Sequence, residues 1–222
     1  MSRHPAVARL RATRQECSGL PLPSITLVPH KVSTRFTDPI VTPLAAIGVT
    51  PNAISVTGFA GNVVAGALAA GGQFLAAGIV MLAFSALDLL DGALARKTGS
   101  VTRFGAVFDS VLDRLSEAAV LAGVLFHYQQ IGGHTQEVAL CFAAVVGSLM
   151  VSYVRARAEG IGLELREGLF TRAERVLLLA AALVVGHGVV RWALWALAIL
   201  SNLTALQRVA TVWQKLRGEA AT

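Results

Sequence analysis

The sequence predicts an all-α integral membrane protein, with six transmembrane helices preceded by an amphipathic interfacial helix. Three observations predict it. First, 55% of the 222 residues are hydrophobic and only 14% are charged, with a mean hydropathy of +0.64. Soluble domains carry about 25% charged residues, so this chain has too little polar surface to face water on every side. Second, apolar stretches of bilayer-spanning length recur along the chain. Third, Lys and Arg are sorted between alternate connections, as positive-inside topology requires.

The first thirty residues hold four arginines, one acid and no apolar run long enough for a secretory signal. Residues 1–30 therefore read as a basic, poorly ordered cytoplasmic tail near anionic headgroups, and 31–217 as the membrane domain. Residues 31–50 mix charges with an apolar stripe of Phe36, Ile40, Val41, Leu44 and Ile47. That pattern predicts an interfacial helix, kinked or broken near Pro39 and Pro43. Pro51 suits the first turn of the following helix, where Asn52 or Ser55 is available to backbone groups or a ligand.

The spans are expected at roughly 52–70, 74–96, 102–126, 136–156, 173–188 and 190–209, the fifth being the shortest. Connections 70–74 and 127–135 have no Lys or Arg. Connection 96–103 has Arg96, Lys97 and Arg103; connection 155–175 has Arg155, Arg157, Arg166, Arg172 and Arg175. Only Arg191 lies in 187–191, and Arg208, Lys215 and Arg217 follow the last span. This places both termini in the cytoplasm of a multi-pass cell-membrane protein. The net charge of +6 is then loop charge facing anionic lipid, with no nucleic-acid partner implied. Cys17 and Cys141 have no metal-ligand spacing and read as neither disulfide nor ligands.

Four of the five aspartates break the apolar pattern: Asp88, Asp91, Asp109 and Asp113. Carboxylates at membrane depth are costly and persist when something pairs with them. Asp88 and Asp91 are three apart, with Gly92 and Ala95 on the same face; Asp109 and Asp113 are four apart, with Gly105 one turn earlier. The short 97–101 connection predicts antiparallel neighbours whose acidic faces meet at the cytoplasmic side. Hard oxygen donors suit Mg²⁺ or Mn²⁺, so a divalent-metal cage is the first hypothesis. The plain alternative pairs these acids with Arg96, Arg103 and Arg114. A divalent-cation transporter is a further alternative, but no acidic relay continues to the other side.

Asp88, Asp91, Gly92, Ala95, Arg96, Gly105, Asp109 and Asp113, with eight residues between Arg96 and Gly105, match every fixed position of a known signature. On these residues the chain resembles the CDP-alcohol phosphatidyltransferase family. The resemblance implies a homodimer of six-helix subunits that transfers the phosphatidyl group of CDP-diacylglycerol to an alcohol and releases CMP. It implies that Asp88, Asp91, Asp109 and Asp113 hold metal, with Asp113 also the catalytic base. It further implies that Asn52, Ala53, Ile54, Ser55, Gly92, Arg96 and Thr102 contact the CDP-lipid.

The blocks SYVRARAE from Ser152 and GLFTRAER from Gly168 resemble those of the branch that uses inositol 1-phosphate, the phosphatidylinositol-phosphate synthases. That likeness assigns Arg155, Arg172 and Arg175 to the acceptor phosphate, which guanidinium binds through paired donors. Two departures stand out: Ala173 replaces a common proline, and Arg155 a common lysine. Phosphatidylglycerophosphate synthesis is the neighbouring alternative. The Ser110, Leu112 and Arg114 that surround the last two acids differ from the pattern common among glycerophosphate users.

Overall fold

A computed structural model describes residues 34–165 and 168–220; the predicted tail lies outside these residues. The described residues form helices and connections without strands. The helices are α1 (Thr34–Ala46), α2 (Pro51–Ala70), α3 (Phe74–Ser85), α4 (Asp88–Thr98), α5 (Arg103–Ile131), α6 (Thr135–Gly160), α7 (Arg172–Val185) and α8 (His187–Ala220). Short connections join six successive helical segments: α2, α3 with α4, α5, α6, α7 and α8.

Four stretches are long and apolar enough to cross a membrane: Pro51–Ala70, Phe74–Thr98, Thr135–Gly160 and His187–Gly218. Helix α5 has the length but carries Asp109, Asp113, Arg114 and Glu117 in its first half. Helix α7 has 14 residues. That is a rise of roughly 21 Å, against a hydrocarbon core of about 30 Å. The surface is apolar, with Leu75, Phe142, Trp192 and Leu206 each more than half exposed. Patches of this extent on a soluble monomer would drive association.

Three local expectations change. Pro39 and Pro43 both lie inside one continuous α1. Both are exposed, so their missing donors and displaced carbonyls face away from the protein. Val41 faces inward instead and packs with Ile54 and Leu94. The predicted second span is jointed: Ala86 and Leu87 keep helical angles, but Leu87 N–H donates to Phe84 O (3.2 Å) and Leu90 N–H to Leu87 O (2.8 Å). These are i→i−3 bonds of a tightened turn. Finally, α4 and α5 do not pack along each other. Both rest on α2, α4 also against α1 and α5 also against α6. The gap between them becomes the cavity described below.

Small residues set the helix spacing. A Cβ on Gly123 of α5 would lie 2.0 Å from Gly66 O of α2, so these backbones touch. Around them Ala65, Val120, Leu121, Val124, Leu179, Leu183 and Leu194 fill the core.

Candidate active site

The site forms where α2 and α5 begin, α4 runs and α7 starts. Thr50 caps α2, accepting from Ala53 N–H at 3.3 Å, and Pro51 occupies the first turn. This holds Asn52 and Ser55 toward α4 and α5. Ser55 Oγ donates to Asp91 Oδ2 at 2.7 Å, and both residues are buried. Thr102 caps α5 by accepting from Gly105 N–H at 2.9 Å. A side chain at Gly105 would meet Thr102 Oγ1 at 2.9 Å and Asn52 Oδ1 at 3.3 Å. Glycine thus lets the α2 and α5 starts approach.

The carboxylates converge as two facing pairs. Asp109 sits beside Asp91, and Asp113 beside Asp88. Gly58 of α2 lines the approach, since a Cβ there would stand 3.3 Å from Asp88 Oδ1. Arg172 reaches in from α7, donating from one guanidinium nitrogen to Asp88 Oδ2 (2.7 Å) and lying 2.9 Å from Asp113 Oδ1. Arg114 lies 3.8 Å from Asp113 on the other side. Of the three arginines weighed as plain partners, only Arg114 is near an acid. The main counter-charge is Arg172, which the sequence reading had assigned to the acceptor.

The donor set fits a hard divalent cation. Every donor is a carboxylate oxygen, and Asp109 Oδ1 is buried with no hydrogen-bond partner. A buried carboxylate oxygen left unpaired is costly, and a cation is the partner such an atom lacks. As the side chains stand, no three ligand-type residues among those described surround a single point. Arg172 draws off Asp88 and Asp113, and Ser55 draws off Asp91.

A cavity of about 730 Å³ opens beside the acids, lined by Asn52, Ser55, Asp91, Gly92, Arg96, Thr102 and Asp109 among others. Its walls are mostly apolar, and the exposed Arg96 supplies positive charge at its edge. This is the size of small-ligand sites. Five of the seven residues expected to contact CDP-lipid line it. Ala53 and Ile54 do not: Ala53 points outward, and Ile54 is buried against Val41 and Leu94.

Residues 48–204 match the CDP-alcohol phosphatidyltransferase family over more than half the chain. The chain belongs to this family. Among curated relatives, the phosphatidylinositol phosphate synthase of Mycobacteroides abscessus is 36% identical over 192 residues, 84% of this chain and 87% of that protein. Two crystal structures of the Mycobacterium tuberculosis phosphatidylinositol phosphate synthase share the fold at 34% identity. The one with CDP-DAG bound matches with a TM-score of 0.73, over 81% of this chain and 94% of that one. The one with manganese and citrate matches at 0.76, over 80% and 88%.

The three acceptor arginines all lie within electrostatic reach of Arg114, but each makes a different direct contact. Arg172 is at the acids, and its Nε is buried without a hydrogen-bond partner, a donor still unspent. Arg155 is half exposed, bonds Glu159 at 2.8 Å and lines a separate cavity of about 270 Å³ with Glu164 and Leu165. Arg175 is 2% exposed and grips both oxygens of Glu117, at 2.8 and 3.1 Å. In this structure the guanidinium expected at the acceptor phosphate is engaged by Glu117. Sequence reading missed Glu117 and its partner Ser148. The one available signal was that Glu117 continues the Asp109–Asp113 face by another turn.

Proposed function

We propose that the chain transfers the phosphatidyl group of CDP-diacylglycerol to inositol 1-phosphate, releasing CMP and forming phosphatidylinositol phosphate. One observation carries the proposal: four carboxylates form two neighbouring pairs, Asp91 and Asp109 lining a cavity of ligand size and Asp88 and Asp113 sharing Arg172. The curated names of the relatives and the bound CDP-DAG of the neighbour structure support the same reaction.

Asn52, Ser55, Gly92, Arg96 and Thr102 receive the cytidine diphosphate, Gly92 by leaving room and Arg96 by charge-assisted bonds. Asp88, Asp91, Asp109 and Asp113 would hold a pair of Mg²⁺ or Mn²⁺ ions, which would supply Lewis-acid neutralisation of the diphosphate. The acceptor hydroxyl oxygen forms a bond to the phosphatidyl phosphorus as the bond to the CMP oxygen breaks. The hydroxyl proton passes to Asp113, and CMP leaves with the electron pair. Arg172, beside Asp113 and holding an unspent donor, orients the acceptor through its phosphate. Arg155 remains at the rim, on the route by which a phosphorylated acceptor enters. All six passes cross the bilayer, α7 among thinned or protein-covered surroundings, with the site at the cytoplasmic face and a second copy completing a homodimer.

The test is CMP release by the purified full chain in detergent with Mg²⁺ and CDP-diacylglycerol. Inositol 1-phosphate, glycerol 3-phosphate, inositol and serine are offered in turn. Release with inositol 1-phosphate is expected. Release with glycerol 3-phosphate alone would end the inositol assignment.

A further inference from the structure

The element that seats Arg172 lies one turn deeper. Arg175 follows Arg172 by three residues on α7, and Glu117 follows Asp113 by four on α5, so each pair shares a helix face. The inner residues bind each other as the outer ones do. Arg175 Nε and one terminal nitrogen grip Glu117 at 2.8 and 3.1 Å, and the other terminal nitrogen reaches Phe170 O at 3.3 Å. Ser148 Oγ of α6 donates to Glu117 Oε2 at 2.7 Å. Glu117, Arg175 and Ser148 are 2–3% exposed.

Helices α5 and α7 do not pack side by side. The neighbours of α5 are α2 and α6, and those of α7 are α3 and α8. Two ion pairs, Asp113–Arg172 and Glu117–Arg175, join them at the site end, and the inner one is buried. A buried ion pair is a poor source of stability compared with apolar packing, because desolvating both charges offsets their attraction. It does impose one register, since the bidentate geometry tolerates little slip. The Phe170 carbonyl and the Thr171–Glu174 capping box fix where α7 starts.

We propose that Glu117, Ser148 and Arg175 are positioning residues for the acceptor site: they lock the register of α7 against α5 and so aim Arg172 at Asp88 and Asp113. The proposal rests on the acceptor reading of Arg172 given above, and its test separates the two.

The first experiment is a double-mutant cycle on acceptor turnover. Glu117→Gln keeps the shape and removes the charge. It is expected to raise the acceptor KM about tenfold, in keeping with the cost of small misplacements, while the CDP-lipid KM stays within about twofold. In an Arg172→Ala background the same substitution is expected to add nothing further. Arg175→Lys and Ser148→Ala give the same pattern in weaker form and serve if Glu117→Gln folds poorly. Multiplying effects of Glu117→Gln and Arg172→Ala, or equal effects on both substrates, would overturn the proposal.

The second experiment needs no substrate: the same cycle read as thermal unfolding in detergent. The Tm shift caused by Arg172→Ala is expected to shrink by at least half once Glu117 is Gln. Additive shifts would overturn the lock whatever the acceptor proves to be. Absence of wild-type turnover with inositol 1-phosphate, beside a coupled thermal cycle, would sink only the acceptor reading.

Discussion

Each end of the bundle buries a glutamate against an arginine, and the two pairs are built differently. At the site end Arg175 is 2% exposed and encloses Glu117 with both arms of its fork. At the opposite end Arg191 is 51% exposed and bonds Glu137 at 2.6 Å from the rim, with His134 3.5 Å away. There Phe74 packs edge-on to His127 (4.8 Å) and Tyr128 (6.4 Å) and against His187 (4.2 Å), so aromatic contact holds the helices together. At the site end the space between α4 and α5 is a cavity, and charges hold what apolar packing cannot. The difference separates a pair whose arginine is open to the surroundings from one enclosed on both sides, which sets geometry.

The largest test of this contrast strikes the charged end. Asp113→Asn removes the proposed base and one metal ligand but keeps the side-chain volume. Turnover is expected to fall at least about a thousandfold, the upper range for a general base, while CDP-lipid binding persists. Wild-type turnover in this variant would remove Asp113 from the chemistry. Loss of CDP-lipid binding would mean that Asp113 builds the cavity rather than serving the reaction.

Much of this end was legible in the sequence because helical spacing is local. Asp88 with Asp91, and Asp109 with Asp113, share faces by arithmetic alone, and Thr50–Pro51 marks a helix start. What escaped lies between helices. Glu117 and Arg175 are 58 residues apart, and no local pattern links them. Arg172 and Arg175 look alike in sequence, yet one turn of depth sends the first to the aspartates and the second into the interior. The short 97–101 connection made direct contact of α4 and α5 the natural expectation. In the fold α2 supports both, with Gly58 facing Asp88 of α4 and Gly66 facing Ala119 of α5. The prolines of α1 read as a kink or a break, and the helix continues through both of them.

That packing yields the intermediate test. Gly123→Ala places a Cβ 2.0 Å from Gly66 O, and backbone must move to accept it. Overpacking of this kind costs about 1–3 kcal/mol, so the thermal midpoint in detergent is expected to drop. Because α2 carries Asn52 and Ser55 against α5, affinity for CDP-lipid is expected to weaken as well, with the acceptor KM less affected. An unchanged midpoint would show that α2 and α5 stand further apart than described.

The smallest effect belongs to the opposite end. Arg191→Ala deletes a half-exposed partner of Glu137 and leaves the carboxylate in the first turn of α6, where the helix N-terminus and His134 still favour its charge. The contact lies away from the acids, so turnover and both KM values are expected to stay within about twofold, while the midpoint falls because Glu137 is buried. The comparison with Glu117→Gln is informative because both substitutions break a Glu–Arg pair on a membrane helix. If Arg191→Ala raised the acceptor KM as far as Glu117→Gln, ion pairs at either end would be acting through general loosening of the bundle. A selective response at the site end alone requires the local lock of α7 against α5.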